Sequence, residues 1–424
     1  MEGRAGFAVV DITPPVGVEL CGYHRASPSE GILDRLYATA VAFETAEARA
    51  VFISVDNVGM AVADANSVRD RIAEALGMRR SDIMLRFTHT HSGPWIGGEE
   101  DPHRMNLHAL GAHLVHAARE AWDALRPCRV GWGVAHAQIG ENRRERGSDG
   151  KVRMGRHPEG PTDDRIGVLK VADTASGELM GLLVVCTAHA NVLKGDSTVI
   201  SGDYPGRTQE MLHRALGCPV AMLNGACGNV NARWRGTVED LERMAQAVSG
   251  AALGALPLID PTPLRELRID ASTLEMGLMP LPQPEEAKAL AEVVAREWEV
   301  DTSPWLDVVQ RMYGDGRRDL TIDLEIQALR LQGGAVAGIP MEPFVESALE
   351  VRRRLGNEAA FFGGYTNGLI GYLPTEEEFP LGGYEVAWMP VVYGIACGGY
   401  LMPARPETLG RVVDEVVRLY DAQA

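Results

Sequence analysis

The alternation of short apolar runs with helical spacing limits most strongly how this chain can fold. Ala50 to Val55 is an apolar run with Asp56 at its end, and Ala61 to Leu76 has helical spacing and stops at Gly77. Ser81 to Arg86 is a second run, and it passes into Phe87-Thr88-His89-Thr90-His91-Ser92-Gly93-Pro94. Strand, helix and strand in that order form a βαβ unit, which sets both strands parallel in one sheet. Polar residues at the C-terminal ends of such strands face the crevice of the sheet. Side chains alternate faces along a strand, so His-x-His sends both imidazoles to one side. Two readings fit that geometry: part of a metal site, or two histidines hydrogen-bonded at a strand edge.

The arrangement then recurs. Leu182 to Thr187 is an apolar run of buried-strand type that delivers Ala188-His189-Ala190-Asn191, and the polar loop Ser201-Gly202-Asp203 follows. A helix over Arg207 to Leu216 leads to a strand at Val220 to Leu223, which ends in the glycine-rich loop Asn224 to Asn231. That loop lacks the lysine of a phosphate cradle, so it reads as a place where backbone approaches a pocket. Ala8 to Thr13, Tyr37 to Glu44, Leu267 to Met279, Leu320 to Leu331 and Ala335 to Ile339 read as further strands. Helices are expected over Leu107 to Leu125, Glu239 to Leu253, Pro284 to Glu299, Val345 to Leu355 and Glu407 to Ala422. Glu342, in Pro340-Met341-Glu342-Pro343, falls at the positive start of one of them. Gly140 to Gly160, headed by Asn142-Arg143-Arg144, reads as a long charged loop. His103, His108, His113 and His116 are expected to flank a helix rather than form a second metal cluster.

A formal net charge of −17 argues against nucleic-acid or anionic-membrane partners, which demand clustered Lys and Arg. Met1 to Gly6 lacks the basic start and apolar core of a signal peptide, and no apolar run is long enough to span a bilayer. A cytoplasmic protein with a small-molecule substrate is the expectation, with no stable membrane association; a homo-oligomer is compatible with it. Cys21, Cys128, Cys186, Cys218, Cys227 and Cys397 show no CxxC pairing and are expected as buried thiols.

Taken as an ordered set, Thr88 to Pro94, Ala188-His189-Ala190, Ser201-Gly202-Asp203, the Gly225 to Asn231 loop, Pro340 to Pro343 and Gly371-Tyr372 resemble the neutral/alkaline ceramidase family. The resemblance covers nearly the whole chain. It implies one α/β catalytic domain over residues 1–424, with a mixed β-sheet core flanked by helices. It also implies a zinc-dependent amidase that attacks an N-acyl bond through a zinc-bound water. The Zn2+ ligands carried over are His89, His189, Glu342 and Tyr372; imidazole and carboxylate suit zinc, whereas a phenol is a less common ligand, so Tyr372 has a second, catalytic reading as the group that stabilises the oxyanion. His91 becomes the proton shuttle or transition-state donor, and Tyr384 a second tyrosine near the reacting carbonyl. Arg143 and Gly22 become substrate-binding residues, and Asp203 a partner orienting a ligand histidine.

The chain also departs from the family. The ceramidases carry a serine in a Gly-Asp-Val-Ser-Pro loop, whereas this chain reads Gly228-Asn229-Val230-Asn231-Ala232. Asn231 cannot become an alkoxide, so it is expected to offer amide hydrogen bonds to substrate or intermediate. The sequence also ends where the ceramidases continue into a β-sandwich domain, which favours a smaller, more soluble amide. A zinc hydrolase or lyase for a sugar or other polar metabolite is the alternative, and a non-catalytic binding protein a more distant one.

Overall fold

The computed structural model describes residues 2–98, 101–394 and 399–421; Cys397 and Ala422 lie outside them. A large mixed sheet is built from β1 (Arg4–Asp11), β2 (Tyr37–Glu44), β3 (Arg49–Val55), β4 (Ile83–Phe87), β5 (Arg126–His136), β6 (Arg165–Asp173), β7 (Leu179–Cys186) and β8 (Val220–Asn224). Its order is β8-β7-β6-β5-β1-β2-β3-β4, and Thr262–Pro263 adds a short ladder beside β5. Neighbours are antiparallel except for two parallel pairs, β3 with β4 and β7 with β8, which lie at opposite ends of the order. Helix α1 (Val62–Leu76) connects the first pair. The second pair is joined through α2's later counterpart in the chain, α3 (Asp203–Leu216), where α2 is Leu107–Asp123. One histidine loop follows β4, the second strand of the first pair, and the other follows β7, the first strand of the second pair.

The sheet curls until its two ends meet. Ser54 Oγ on β3 donates to Met222 O on β8 at 2.7 Å, and Arg86 Nη2 on β4 donates to Asn224 O at 2.6 Å. That closure brings the ends of β4 and β7 together. Helices α2 and α4 (Val238–Ala255) complete two of the apolar layers. A second sheet, in the order β9 (Leu267–Gly277), β10 (Thr321–Leu331), β11 (Gly334–Gly338) and β12 (Ala360–Gly363), packs on the first through Val336, Phe361 and Leu329. Helices α5 (Pro284–Trp298), α6 (Ser303–Gly314), α7 (Val345–Leu355) and α8 (Thr408–Asp421) enclose the core of this second sheet.

The expected mixed sheet flanked by helices is what the chain forms, with local differences. Gly140 to Gly160 is not a plain loop: Gly140–Asn142 pairs with Val230–Ala232, and Arg144–Arg146 pairs with Val152–Met154. Helix α4 runs through Gly254 to Ala255. Strand β5 carries Pro127, Gly131 and Gly133, which hide its strand character, yet it pairs along its length with β6. The five described cysteines are buried, as expected.

Candidate active site

Strand β4 ends at Phe87, and His89 departs from it in the left-handed conformation, φ 63°. The two imidazoles therefore do not converge through strand alternation. They meet because the backbone turns sharply at His89, and His91 N–H is stitched across to Ala190 O of the other histidine loop at 2.9 Å. His89 Nε2 lies 3.3 Å from His91 Nε2. Gly22, at φ 85°, lies against the His91 ring, where an added Cβ would sit 2.4 Å from its Cγ.

The backbone sets the tautomers of two of the histidines. His89 Nδ1 lies 2.7 Å from Val58 O, and His189 Nδ1 lies 2.7 Å from Cys227 O. A carbonyl only accepts, so each Nδ1 carries a proton, and in the neutral ring each Nε2 presents a lone pair. Asp203 does not perform this orienting role. Its carboxylate accepts from the backbone of Leu193 and Tyr204 instead, and burial pushes its carboxyl up to about 7.

Both Nε2 atoms face Glu342, with Oε2 at 3.3 Å from His89 and 3.0 Å from His189. Glu342 sits in the short strand Glu342–Pro343, ahead of α7, whose first N–H is taken by Asn229 Oδ1. Its charge thus serves the histidines rather than the helix start. The parallel partner of this strand is Tyr372–Leu373, with Glu342 in register with Tyr372. Burial drives the His189 imidazole down to about 4, and burial with the neighbouring histidines holds His91 well below the usual range. Burial opposes ionisation of Glu342, but His89 and His189, when protonated, outweigh it and hold the carboxyl well below its ordinary value. Two lone pairs directed at a carboxylate repel one another unless a cation lies between them.

The remaining expected residues ring this centre. Arg143 Nη2 donates to the Tyr372 hydroxyl at 2.9 Å and Nη1 to Asn231 Oδ1 at 3.3 Å. Asn191 Nδ2 also donates to Asn231 Oδ1, at 2.9 Å, and the buried Asn231 Nδ2 has no partner among the described residues. Tyr384 meets Tyr372 edge-on at 5.6 Å and stacks on Trp298 at 4.4 Å. The mouth is lined by Gly22, Val58, His89, His91, Trp95, Glu342, Leu369, Tyr372, Tyr384, Met389 and Tyr393. Tyr365 escaped the sequence reading, where only its turn-rich surroundings are visible. It stacks on His89 at 4.1 Å, and its hydroxyl donates to Glu342 Oε2 at 3.3 Å. His103, His108, His113 and His116 are exposed; the one cluster of three candidate metal-binding side chains among the described residues is His89, His91 and His189, and Glu342 Oε2 lies beside two of its members, His89 and His189.

Residues 4–219 match the family model described as neutral/alkaline non-lysosomal ceramidase, N-terminal. The chain belongs to the neutral/alkaline non-lysosomal ceramidase family. Membership of the ceramidase family places it among amidohydrolases. The match includes Gly22, His89, His91, Arg143 and His189, while Asn231, Glu342, Tyr372 and Tyr384 lie beyond it. The fold is that of neutral ceramidase from Pseudomonas aeruginosa, at 20% identity and TM-score 0.73 over 100% of this chain and 75% of that one. A structure described as ceramidase complexed with C2 is similar at 18% identity and TM-score 0.72, over 100% of this chain and 76% of that one. No curated protein matches the chain in sequence.

Proposed function

We propose that this ceramidase-family chain hydrolyses the amide bond of an N-acyl substrate with one zinc ion. The observation that carries the proposal is the approach of two imidazole Nε2 atoms to one carboxylate oxygen, at 3.0 and 3.3 Å. That donor set fits zinc, and His89, His189 and Glu342 would hold it, with Tyr372 beside Glu342 as the fourth ligand. When bound, zinc supplies Lewis acidity that polarises the acyl carbonyl and acidifies water.

The chain's own groups account for the rest. Among the described residues His91 Nδ1 has no hydrogen-bond partner, so no such bond fixes its tautomer from that side. That freedom suits a proton carrier between the attacking water and the leaving amine. Arg143 holds the Tyr372 hydroxyl in place, and Asn231 Nδ2 supplies an uncommitted N–H donor to developing negative charge. Asn231 gives no nucleophile, so an acyl-enzyme at this position is excluded. Val58, Trp95, Leu369 and Met389 offer an apolar wall to the acyl group.

The polar-metabolite alternative draws no support from the arginine-rich segment. Arg143 and Arg144 are committed to buried carboxylates, and Arg153 and Arg156 to Asp149 and Glu141. Among the described residues no helix is long and apolar enough to cross a membrane. The test is amine release by zinc-loaded protein across N-acyl amides from acetyl to long-chain ceramide. Cleavage abolished by chelation is expected. Zinc-loaded protein that cleaves none of them would overturn the proposal.

A further inference from the structure

Behind the pocket lies a buried ion-pair chain that the proposed chemistry does not use directly. Glu385 Oε1 accepts from Arg143 Nε at 2.7 Å and Glu385 Oε2 from Arg144 Nη1 at 2.9 Å. Arg144 is bound in turn by Glu378 at 2.7 Å. The side chains of Glu385, Arg143 and Arg144 are 1%, 3% and 1% exposed, so water screens none of these charges.

A guanidinium is planar, and fixing one edge fixes the direction of the other N–H groups. Glu385 takes the Nε edge of Arg143, and the two Nη groups are then aimed at Tyr372 and Asn231. Glu385 follows Tyr384 in a single π-helical turn, Tyr384–Trp388, entered through Gly382 at φ 67° and Gly383 at φ 93°. An added Cβ on Gly383 would meet Arg144 Nη1 at 2.8 Å. Such turns interrupt regular helices where particular side chains must be placed. One residue therefore anchors Arg143 while its neighbour faces the substrate pocket.

We infer that Glu385 is a positioning residue for amide hydrolysis, acting through Arg143 to set the Tyr372 hydroxyl and the Asn231 amide. The inference rests on the amidase reading of the site. Glu378 supplies the control, because it binds Arg144 but makes no bond to Arg143.

The experiment compares zinc-loaded Glu385→Ala, Glu385→Gln, Glu378→Gln and wild type by kcat and KM, and by crystal structures. Glu385→Ala should lower kcat about 100-fold with KM changed less than about threefold, as expected for a displacement near 1 Å. Its structure should show Arg143 Nη2 withdrawn from the Tyr372 hydroxyl. Glu385→Gln can accept from only one arginine and should lose less, about 10-fold, which keeps the test open if the alanine variant does not fold. Glu378→Gln should stay within about threefold of wild type. In the Arg143→Met background, Glu385→Gln should cost nothing further. An unmoved Arg143 in the Glu385 variants, or an equal loss in Glu378→Gln, would overturn the inference. Wild-type protein inert on every amide would sink the amidase reading alone, because the Arg143 position is read from the structures.

Discussion

Gly22→Ala would test how tightly the centre is packed. The residue sits at φ 85°, where an L side chain costs about 1 kcal/mol, and its new Cβ would lie 2.4 Å from His91 Cγ. The ring has little room to retreat, with Tyr23 at 5.1 Å, His89 at 4.9 Å and His189 at 5.5 Å between ring centres. Overpacking of a filled site adds about 1–3 kcal/mol, so a total loss of about 2–4 kcal/mol is expected if the ring holds its place. Should the ring swing instead, the stability loss shrinks and hydrolysis falls about 100-fold, because His91 leaves the reacting centre. Urea unfolding and kcat measured on the same preparation separate the two responses. A variant within about 0.5 kcal/mol of wild type with undiminished kcat would refute the account of Gly22 as the seat of His91.

Three further outcomes are expected. Wild-type protein should bind one zinc per chain by elemental analysis, and His189→Ala or Glu342→Gln should weaken binding by at least about 100-fold; unchanged zinc content in both would remove the metal site. Asn231→Ser should reduce hydrolysis about 10-fold, because a serine cannot span the bonds from Arg143 and Asn191, and a gain with an acyl-enzyme burst would point to a serine route. Burial pushes Asp56 and Asp203 up to about 7 and Asp34 up to about 6, so the fold favours their protonated forms. The stability they contribute is full below the unfolded carboxyl range near 4 and is lost as pH rises through about 6 to 7. Asp56→Asn should flatten this decline in unfolding experiments between pH 5 and pH 8, and an unaltered slope would contradict the assignment.

The chain's local patterns determined a good deal. Apolar runs bounded by turn residues mark β3, β4, β7 and β8, helical spacing marks α1 and α3, and both histidine loops follow from where those strands stop. The ordered motifs were enough to identify the family, and Glu342 and Tyr372 could be singled out through it. These signals are short-range, since periodicity is a property of neighbouring residues.

Tertiary structure alone decided how the pieces meet. The left-handed turn at His89, the carbonyls of Val58 and Cys227 that fix two tautomers, and the stacking of Tyr365 on His89 have no local signature. Arg143 and Glu385 stand 242 residues apart in sequence and 2.7 Å apart in space. Neither residue's neighbours encode the other, because the pair forms only when the first sheet's strand ends close against the segment that follows the second sheet. Burial then gives the contact its strength, since the same two charges in water would be nearly independent.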